Sequence, residues 1–347
     1  MAPIGYNFNA NKPGYHSRER GGKRRRIIIF TVLTIALLGI LYFWGFGRNE
    51  DKDAKSGKKK YISLAPTPDQ FNDPTSLITE KETPEDYKKP AVDTQSFPQV
   101  EVVFNRAEAA YTKEEYGKTR KYCYQILDSR KVPDANPLWQ KTVKLLGNAN
   151  TKIFFSDYPF PSKKENYHVK TNDGLRKIAM AHNTSVETVQ RSNNMKLTDF
   201  NVQLGKTFNI YVGKWEIIIS KSRRKLYLFD GKKLFKAYGV GIGKQNRTPT
   251  GVFKTGGKRK NPDWYSPNGK ISFGKPGNVL GTRWIRLIPS GKTSRKVSGL
   301  GIHGSWDPES IGKAESNGCL RLLNKDVEEL FAIIPNERKP VPVTIIK

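Results

Sequence analysis

Ser316-Asn317-Gly318-Cys319-Leu320-Arg321, preceded by Ile302-His303-Gly304, contains the residue types that nucleophilic catalysis requires. Thiolate is the reactive form of cysteine, and a neighbouring imidazole both takes its proton and steadies its charge. Cys319 is one of 2 cysteines and His303 one of 4 histidines, so few other pairings compete. His-and-carboxylate spacing of the kind that holds a metal is missing, and a thiol–imidazole pair needs no organic cofactor, so none of either is expected.

The elements that must carry this pair can be read outward from it. A chain of 347 residues has room for several domains, and its formal net charge is +29. Counted along the sequence, residues 1–26 carry +6, 48–100 carry −1, 101–166 carry +4, 167–212 carry +3 and 213–347 carry +17. The excess is spread over the segment that bears Cys319, and such a surface favours a polyanion: nucleic acid, anionic lipid or a wall polymer rich in carboxylates. Residues 27–47 decide among these. They are uncharged and long enough to cross a bilayer as a helix, behind Lys23-Arg24-Arg25-Arg26. Positive charge stays on the cytoplasmic side, so residues 1–26 are expected inside and the remainder outside. A cleaved signal peptide is the competing reading. The long charged leader and the Trp44-Gly45-Phe46-Gly47 end, which has no small-x-small site, favour an uncleaved anchor. The expected location is the inner membrane, single-pass, with the thiol on the periplasmic side, which argues against a nucleic-acid partner.

Residues 48–98 read as a disordered tether, with Lys58-Lys59-Lys60, five prolines between Pro66 and Pro90 and no apolar period. As a coil it spans about 40 Å. Residues 99–160 turn helical: Ala107, Ala110 and Tyr111 recur at three and four, Thr112-Lys113-Glu114 breaks the run, and Tyr116, Tyr122, Cys123 and Ile126 resume it. A third stretch runs from Leu138 to Ile153. This resembles a helical hairpin of the tetratricopeptide type with one added helix. A single unit cannot cover its own apolar face, so it is expected to pack on a neighbour or a protein partner. Cys123 falls on the apolar side, as a buried small hydrophobe rather than a disulfide partner.

Residues 166–213 form a compact βααβ unit. Tyr167-His168-Val169 alternates as a strand, Asp173 can cap a helix bearing Leu175, Ile178, Ala179 and His182, and Ser185 can cap a second with Val186 and Val189 inward. Phe208, Ile210 and Val212 alternate as the closing strand. The order resembles the LysM glycan-binding module, whose opening motif appears as Asn172-Asp173-Gly174-Leu175. The resemblance implies peptidoglycan as partner, with Asp173, Gly174, Leu175 and Asn193 at the glycan. His168 and His182 have no metal-ligand spacing.

Residues 214–347 are rich in short strands (Trp215–Ser220, Lys225–Phe229, Leu234–Val240, Trp284–Leu287 and Val341–Ile346) with one helix, Lys325–Ile334. That spacing predicts a mostly β sandwich or open barrel. The whole expectation is a multidomain chain: transmembrane helix, helical unit, βααβ module and β catalytic domain.

Within the last domain, Thr248-Pro249-Thr250-Gly251, Gly277-Asn278-Val279-Leu280-Gly281-Thr282-Arg283, His303-Gly304 and the segment ending Cys319-Leu320-Arg321 together resemble the L,D-transpeptidase (YkuD-type) catalytic domain. The resemblance implies Cys319 as nucleophile and His303 as base, its second ring nitrogen steered by the Gly304 carbonyl. It implies an oxyanion hole of the Asn317, Gly318 and Cys319 amides, with Arg321 and Ser316 at the substrate. Ser316 and Ser305 read more simply as turn residues than as nucleophiles. Asn317 stands where the family has a histidine, and its backbone amide remains available. The implied reaction cross-links peptidoglycan through a Cys319 thioester with release of D-alanine. Ending the thioester with water would make an L,D-carboxypeptidase, and ending it with a lysine would attach a lipoprotein. A non-catalytic scaffold tying membrane to wall is the reading from another class; it has no need of the Cys319–His303 pair.

Overall fold

The structure, a computed structural model, describes residues 94–347 except 267, 268, 336 and 337. The expected basic tail, anchor and nearly all of the tether lie outside the described residues. Among the described residues no helix is long and apolar enough to cross a membrane.

Three helices come first: α1 (Pro98–Thr112), α2 (Tyr116–Ser129) and α3 (Pro137–Phe154). Proline opens α1 and α3, where a missing N–H costs nothing, and Asn136 Oδ1 caps α3 by accepting from Leu138 N at 2.9 Å. Their apolar faces meet around Phe104, Ala107, Cys123, Trp139 and Leu146, and against Ile218, Tyr227 and Phe229 of the large sheet. The helical unit thus packs on its own chain. Tyr124 Oη donates to Leu234 O at 3.0 Å, and Asn150 Nδ2 donates to Phe235 O at 2.8 Å. Burial pushes the Cys123 thiol up to about 12, which keeps it an inert core residue.

The βααβ unit follows as β1 (Lys164–His168), α4 (Leu175–Ala181), α5 (Val186–Ser192) and β2 (Thr207–Tyr211), with β1 and β2 antiparallel. Ser185 caps α5, accepting from Thr188 N at 3.0 Å. Asp173 does not cap α4. Gly174 holds that position without a side-chain bond, while the Asp173 carboxylate turns back to accept from Tyr167 Oη (2.7 Å) and Lys170 N (2.9 Å) and pairs with Lys177 (3.1 Å). Three donors meet the carboxylate there, more than the one backbone amide a capping side chain ordinarily accepts from.

The remaining strands are β3 (Trp215–Ser220), β4 (Lys225–Asp230), β5 (Lys233–Gly239), β6 (Ile242–Gly243), β7 (Gly251–Lys260), β8 (Trp264–Ser266), β9 (Gly269–Ile271), β10 (Arg283–Pro289), β11 (Gly301–Ser305), β12 (Ala314–Ser316), β13 (Leu320–Leu323) and β14 (Pro342–Ile346); the helix α6 (Asn324–Ile333) leaves β13 directly. Eight of them form a mixed sheet in the order β13-β11-β10-β7-β14-β3-β4-β5. Its two ends nearly meet: Gly241 and Arg321 exchange backbone bonds of 2.9 Å in both directions. The open-barrel expectation describes this sheet. Alternation sends Ile217, Ile219, Leu228, Ile285, Ile302, Leu320 and Leu322 into one core with Val327 and Leu330 of α6. The opposite face is divided. Helices α1–α3 cover it at β3–β5, and at β10, β11 and β13 it carries the residues described next.

β7 is central to the sheet, yet Gly251–Lys260 has no hydrophobic alternation and is not among the strands expected from sequence. β10 and β14 pair with it on both sides, and backbone bonding rather than side-chain pattern makes it a strand.

Candidate active site

Strand register assembles the site. Parallel pairing of β11 with β13 sets His303 beside Arg321, and antiparallel pairing of β10 sets Trp284 beside His303 on one side and Arg259 on the other. Register partners share a face, so Arg321, His303, Trp284 and Arg259 form a row across four strands. Cys319, two residues before Arg321, emerges on that same face.

His303 is buried, and its Nδ1 lies 2.7 Å from Gly304 O. A carbonyl can only accept, so Nδ1 carries the proton and Nε2 keeps its lone pair. The ring stacks on Trp284 at 5.9 Å between centroids and 23° between planes. Burial, reinforced by the Arg321 guanidinium, lowers its pKa to about 4 against the opposing pull of the Gly304 bond. The Cys319 thiol is raised by burial, in spite of a backbone bond with Gly301 and the charge of Arg321. Both partners are therefore neutral at rest. The thiol donates to Gly299 O at 3.4 Å.

The turn before Cys319 departs from the expected trio of oxyanion donors. Ser316 is buried; its Oγ accepts from Gly318 N at 3.0 Å and donates to Cys319 O at 2.6 Å. The Gly318 amide is thereby occupied, and the Ser316 hydroxyl braces the turn. Gly318 has φ +131 and lies against Arg247, where a side chain would be strained. Thr248 ties the turn to β6, donating to Gly318 O at 2.7 Å and accepting from Gly243 N at 2.8 Å. Asn317 Oδ1 accepts from Arg247 Nη1 at 3.1 Å, so its side chain fixes the rim. Asn278 is likewise a brace, donating to Pro262 O and Ile271 O and accepting from Leu280 N.

Two cavities flank the row. One, of about 730 Å³, is lined by Cys319, Gly299 and Trp284 together with Lys254, Arg259 and Arg286. The other, of about 610 Å³, is lined by Arg321, Trp306, Asp307 and Lys275. The sequence motifs single out Cys319, His303 and Arg321, and not Arg259, Arg286 or the stacking of Trp284, which depend on register. The alternation Trp284-x-Arg286 was available as a signal for a shared face; which face it was depends on register.

The residues expected at the glycan are placed as parts of the module's frame. Leu175 is in its core. Asp173 closes the turn described above, and its hydrogen bond from Tyr167, with those from Lys170 and Lys177, holds its carboxyl below the usual range. Asn193 Oδ1 accepts from Asn209 N at 2.7 Å while its Nδ2 donates to Val189 O and Asn209 O. Gly174 borders an open surface pocket with Arg176, Lys177 and Met180. Replacing Asn193 with alanine strands several partly buried groups, and we expect thermal unfolding to show a loss of about 1–3 kcal/mol. An unchanged unfolding curve with weaker glycan retention would instead place Asn193 at the ligand.

Comparison with known proteins adds family relationships to this geometry. The model of the L,D-transpeptidase catalytic domain (YkuD) matches residues 214–345, and that of the LysM domain matches residues 167–210. Two similar proteins come from Bacillus subtilis, both carrying L,D-transpeptidase names. YkuD is 30% identical over 177 residues, covering 49% of this chain and 93% of its own length. YqjB is 38% identical over 120 residues, covering 34% of this chain but 65% of its own length, slightly under two thirds. A solved L,D-transpeptidase from Mycobacterium smegmatis aligns with a TM-score of 0.31 at 15% identity, over 41% of this chain and 64% of its own, a likeness too slight to build on.

Proposed function

Because this chain belongs to the L,D-transpeptidase family, joining a YkuD-type catalytic domain to a LysM domain, we propose that it cross-links peptidoglycan through a Cys319 acyl-enzyme. The observation that carries this reading is the His303 ring, held by Gly304 O with Nε2 free, on the same sheet face as Cys319 and between two cavities.

The reaction proceeds in two acyl transfers. The donor stem is a tetrapeptide with its scissile carbonyl over Cys319. As the thiol leaves Gly299 O, Nε2 of His303 takes its proton and sulfur attacks the carbonyl carbon. The Cys319 amide, with that of Asn317, offers hydrogen bonds to the developing oxyanion, and Arg321 adds positive charge beside it. Collapse expels the amine of D-alanine, which receives the proton from His303 and leaves a thioester. An amine of a second stem attacks next. Its proton passes to His303 and then to the departing thiolate, restoring the neutral pair. Two substrates need two approaches, and the cavities on the Trp284 and Arg321 sides supply them.

The remaining organisation is part of the proposal. Residues 27–47 would anchor the chain in the inner membrane, the tether would give it reach, and the LysM domain would hold it on glycan. That domain is bonded directly to α6 of the catalytic domain: Ser185 Oγ and Thr188 Oγ1 both donate to Ala332 O, at 2.5 and 2.7 Å. Glycan binding and catalysis then occur at a set separation.

The test is incubation of the full-length protein with disaccharide-tetrapeptide, followed by mass spectrometry. Loss of one D-alanine with formation of cross-linked dimer is expected. D-Alanine loss without dimer would make water the acceptor, and folded protein yielding neither product overturns the reading.

A further inference from the structure

The cavity beside Cys319 has a cationic wall that the acyl-transfer chemistry does not use. Its one acid among the described residues, Asp263, is already paired with Lys270 at 2.8 Å and accepts from Phe273 N at 3.0 Å. One of its lysines, Lys258, is also committed, donating to Phe331 O at 2.5 Å and Ile334 O at 2.8 Å at the end of α6. Lys254, Arg259 and Arg286 remain. They are exposed, line the cavity, and make no salt bridge among the described residues.

The sheet aims them at the thiol. Arg286 is the register partner of Gly301, and Gly301 lies beside Cys319 one step before the Ile302–Leu320 pair. Two strand spacings separate the Arg286 and Cys319 backbones, about 10 Å. Gly301 contributes no side chain to this row. The Trp284 indole lies across it, so close that a Cβ on Gly301 would stand 2.5 Å from the ring. On the other side of Arg286, the register of β7 slips between the partners of Ile285 and Leu287, which leaves Gly256 and Gly257 opposite it. Arg286 thus has glycine beside it on both neighbouring strands, and Trp284, two residues earlier, lies on the same face. Arg259, the partner of Trp284, stands at the same surface.

On the reading that the donor is a wall tetrapeptide, we propose that Arg286, with Arg259 and Lys254, selects donor stems by their free carboxylates. A stem lying along Trp284 with its scissile carbonyl at Cys319 brings neighbouring groups within about 4–7 Å for each one or two residues of extended peptide. Guanidinium reads a carboxylate through paired charge-assisted bonds. Converting that carboxylate to a carboxamide preserves its shape and removes the charge. Besides the terminal carboxylate of D-alanine, which every donor stem carries and which departs with the leaving amine, two groups of a stem have this chemistry: the α-carboxylate of its glutamate and the side-chain carboxylate of its diamino acid.

The experiment compares four disaccharide-tetrapeptides with the full-length protein: unmodified, amidated at the glutamate, amidated at the diamino acid, and amidated at both. The unmodified stem is expected to exceed the doubly amidated one in kcat/KM by at least about ten-fold, as expected for losing one charge-assisted contact. The singly amidated stems identify the carboxylate that is read. Arg286→Gln should collapse the preference towards unity, mainly through KM, and Arg286→Lys should keep part of it. Equal turnover of all four stems by the unaltered protein would overturn the selection while leaving cross-linking intact. An equal loss on every stem in Arg286→Gln would overturn direct reading by Arg286, since a general positive field does not depend on one contact. Turnover of none would instead count against the transpeptidase reading.

Discussion

Replacing Cys319 with alanine should abolish cross-linking, a fall of about 10³-fold or more, and leave the fold intact. The side chain is partly exposed in a cavity and its removal uncovers no core. His303→Gln should lower turnover by about 10²–10⁴-fold, the usual contribution of a positioned general base. The pH profile distinguishes this arrangement from a resting thiolate–imidazolium pair. The base must be neutral to accept a proton, and burial holds His303 down to about 4 while it raises the thiol. On the acid side, kcat/KM should therefore fall only as pH drops through about 4, instead of near the ordinary histidine value of 6.5. The thiol stays protonated through neutrality, so alkylation of the free enzyme should be slow at pH 7 and rise only above the ordinary thiol value. An acid limb near 6.5 with fast alkylation at neutral pH would mean that the resting pair is ionic. Dimer formation that persists in Cys319→Ala would move the nucleophile elsewhere.

Gly304→Ala should be the most damaging change that removes no reacting atom. A Cβ there would stand 2.1 Å from Asn324 Oδ1, which is held by Thr282 N at 3.0 Å at the start of α6. Gly281, at φ +60, is packed against the same two residues. The methyl group must either push the Asn324 amide off Thr282 or lift β11 from the helix. Lifting β11 moves Gly304 O and releases Nδ1 of His303. Overpacking of this kind costs about 1–3 kcal/mol. A displacement of about 1 Å in a catalytic group costs about 10²-fold in turnover. Both losses should appear together, in thermal unfolding and in kcat. The double variant Gly304→Ala/Asn324→Ala makes room for the methyl, so its turnover should exceed that of Gly304→Ala alone. Strict additivity of the two changes would show that the clash is not the cause.

The legible parts of this protein were those whose signals are local. Ser185 as a cap, the α1–α2 break at Thr112-Lys113-Glu114 and the strands from Trp215 to Asp230 follow from periodicity and capping within a few residues. The motifs around His303 and Cys319 were legible for the same reason, and the steering of His303 by its neighbour Gly304 is a contact between adjacent residues. β7 was hidden because its lysines and glycines resemble a loop until neighbouring strands supply hydrogen bonds on both sides. Asp173 was misread as a helix cap because a side chain within reach of several backbone groups chooses by geometry, and residue type leaves that choice open.

Sequence by itself thus determined the chemistry: one thiol and one imidazole in short motifs, a glycine where the turn before Cys319 needs positive φ, and the surplus of cations around them. Tertiary structure decided how they are used. Arg321, His303, Trp284 and Arg259 lie far apart along the chain and become neighbours only through one parallel and two antiparallel registers. A slip of one residue in any of them would turn a side chain to the other face of the sheet, since strand side chains alternate. Burial then set the protonation of the pair. Desolvation depends on everything packed around a group, which for His303 includes Trp284 from one strand, and the charge of Arg321 from another acts in the same direction.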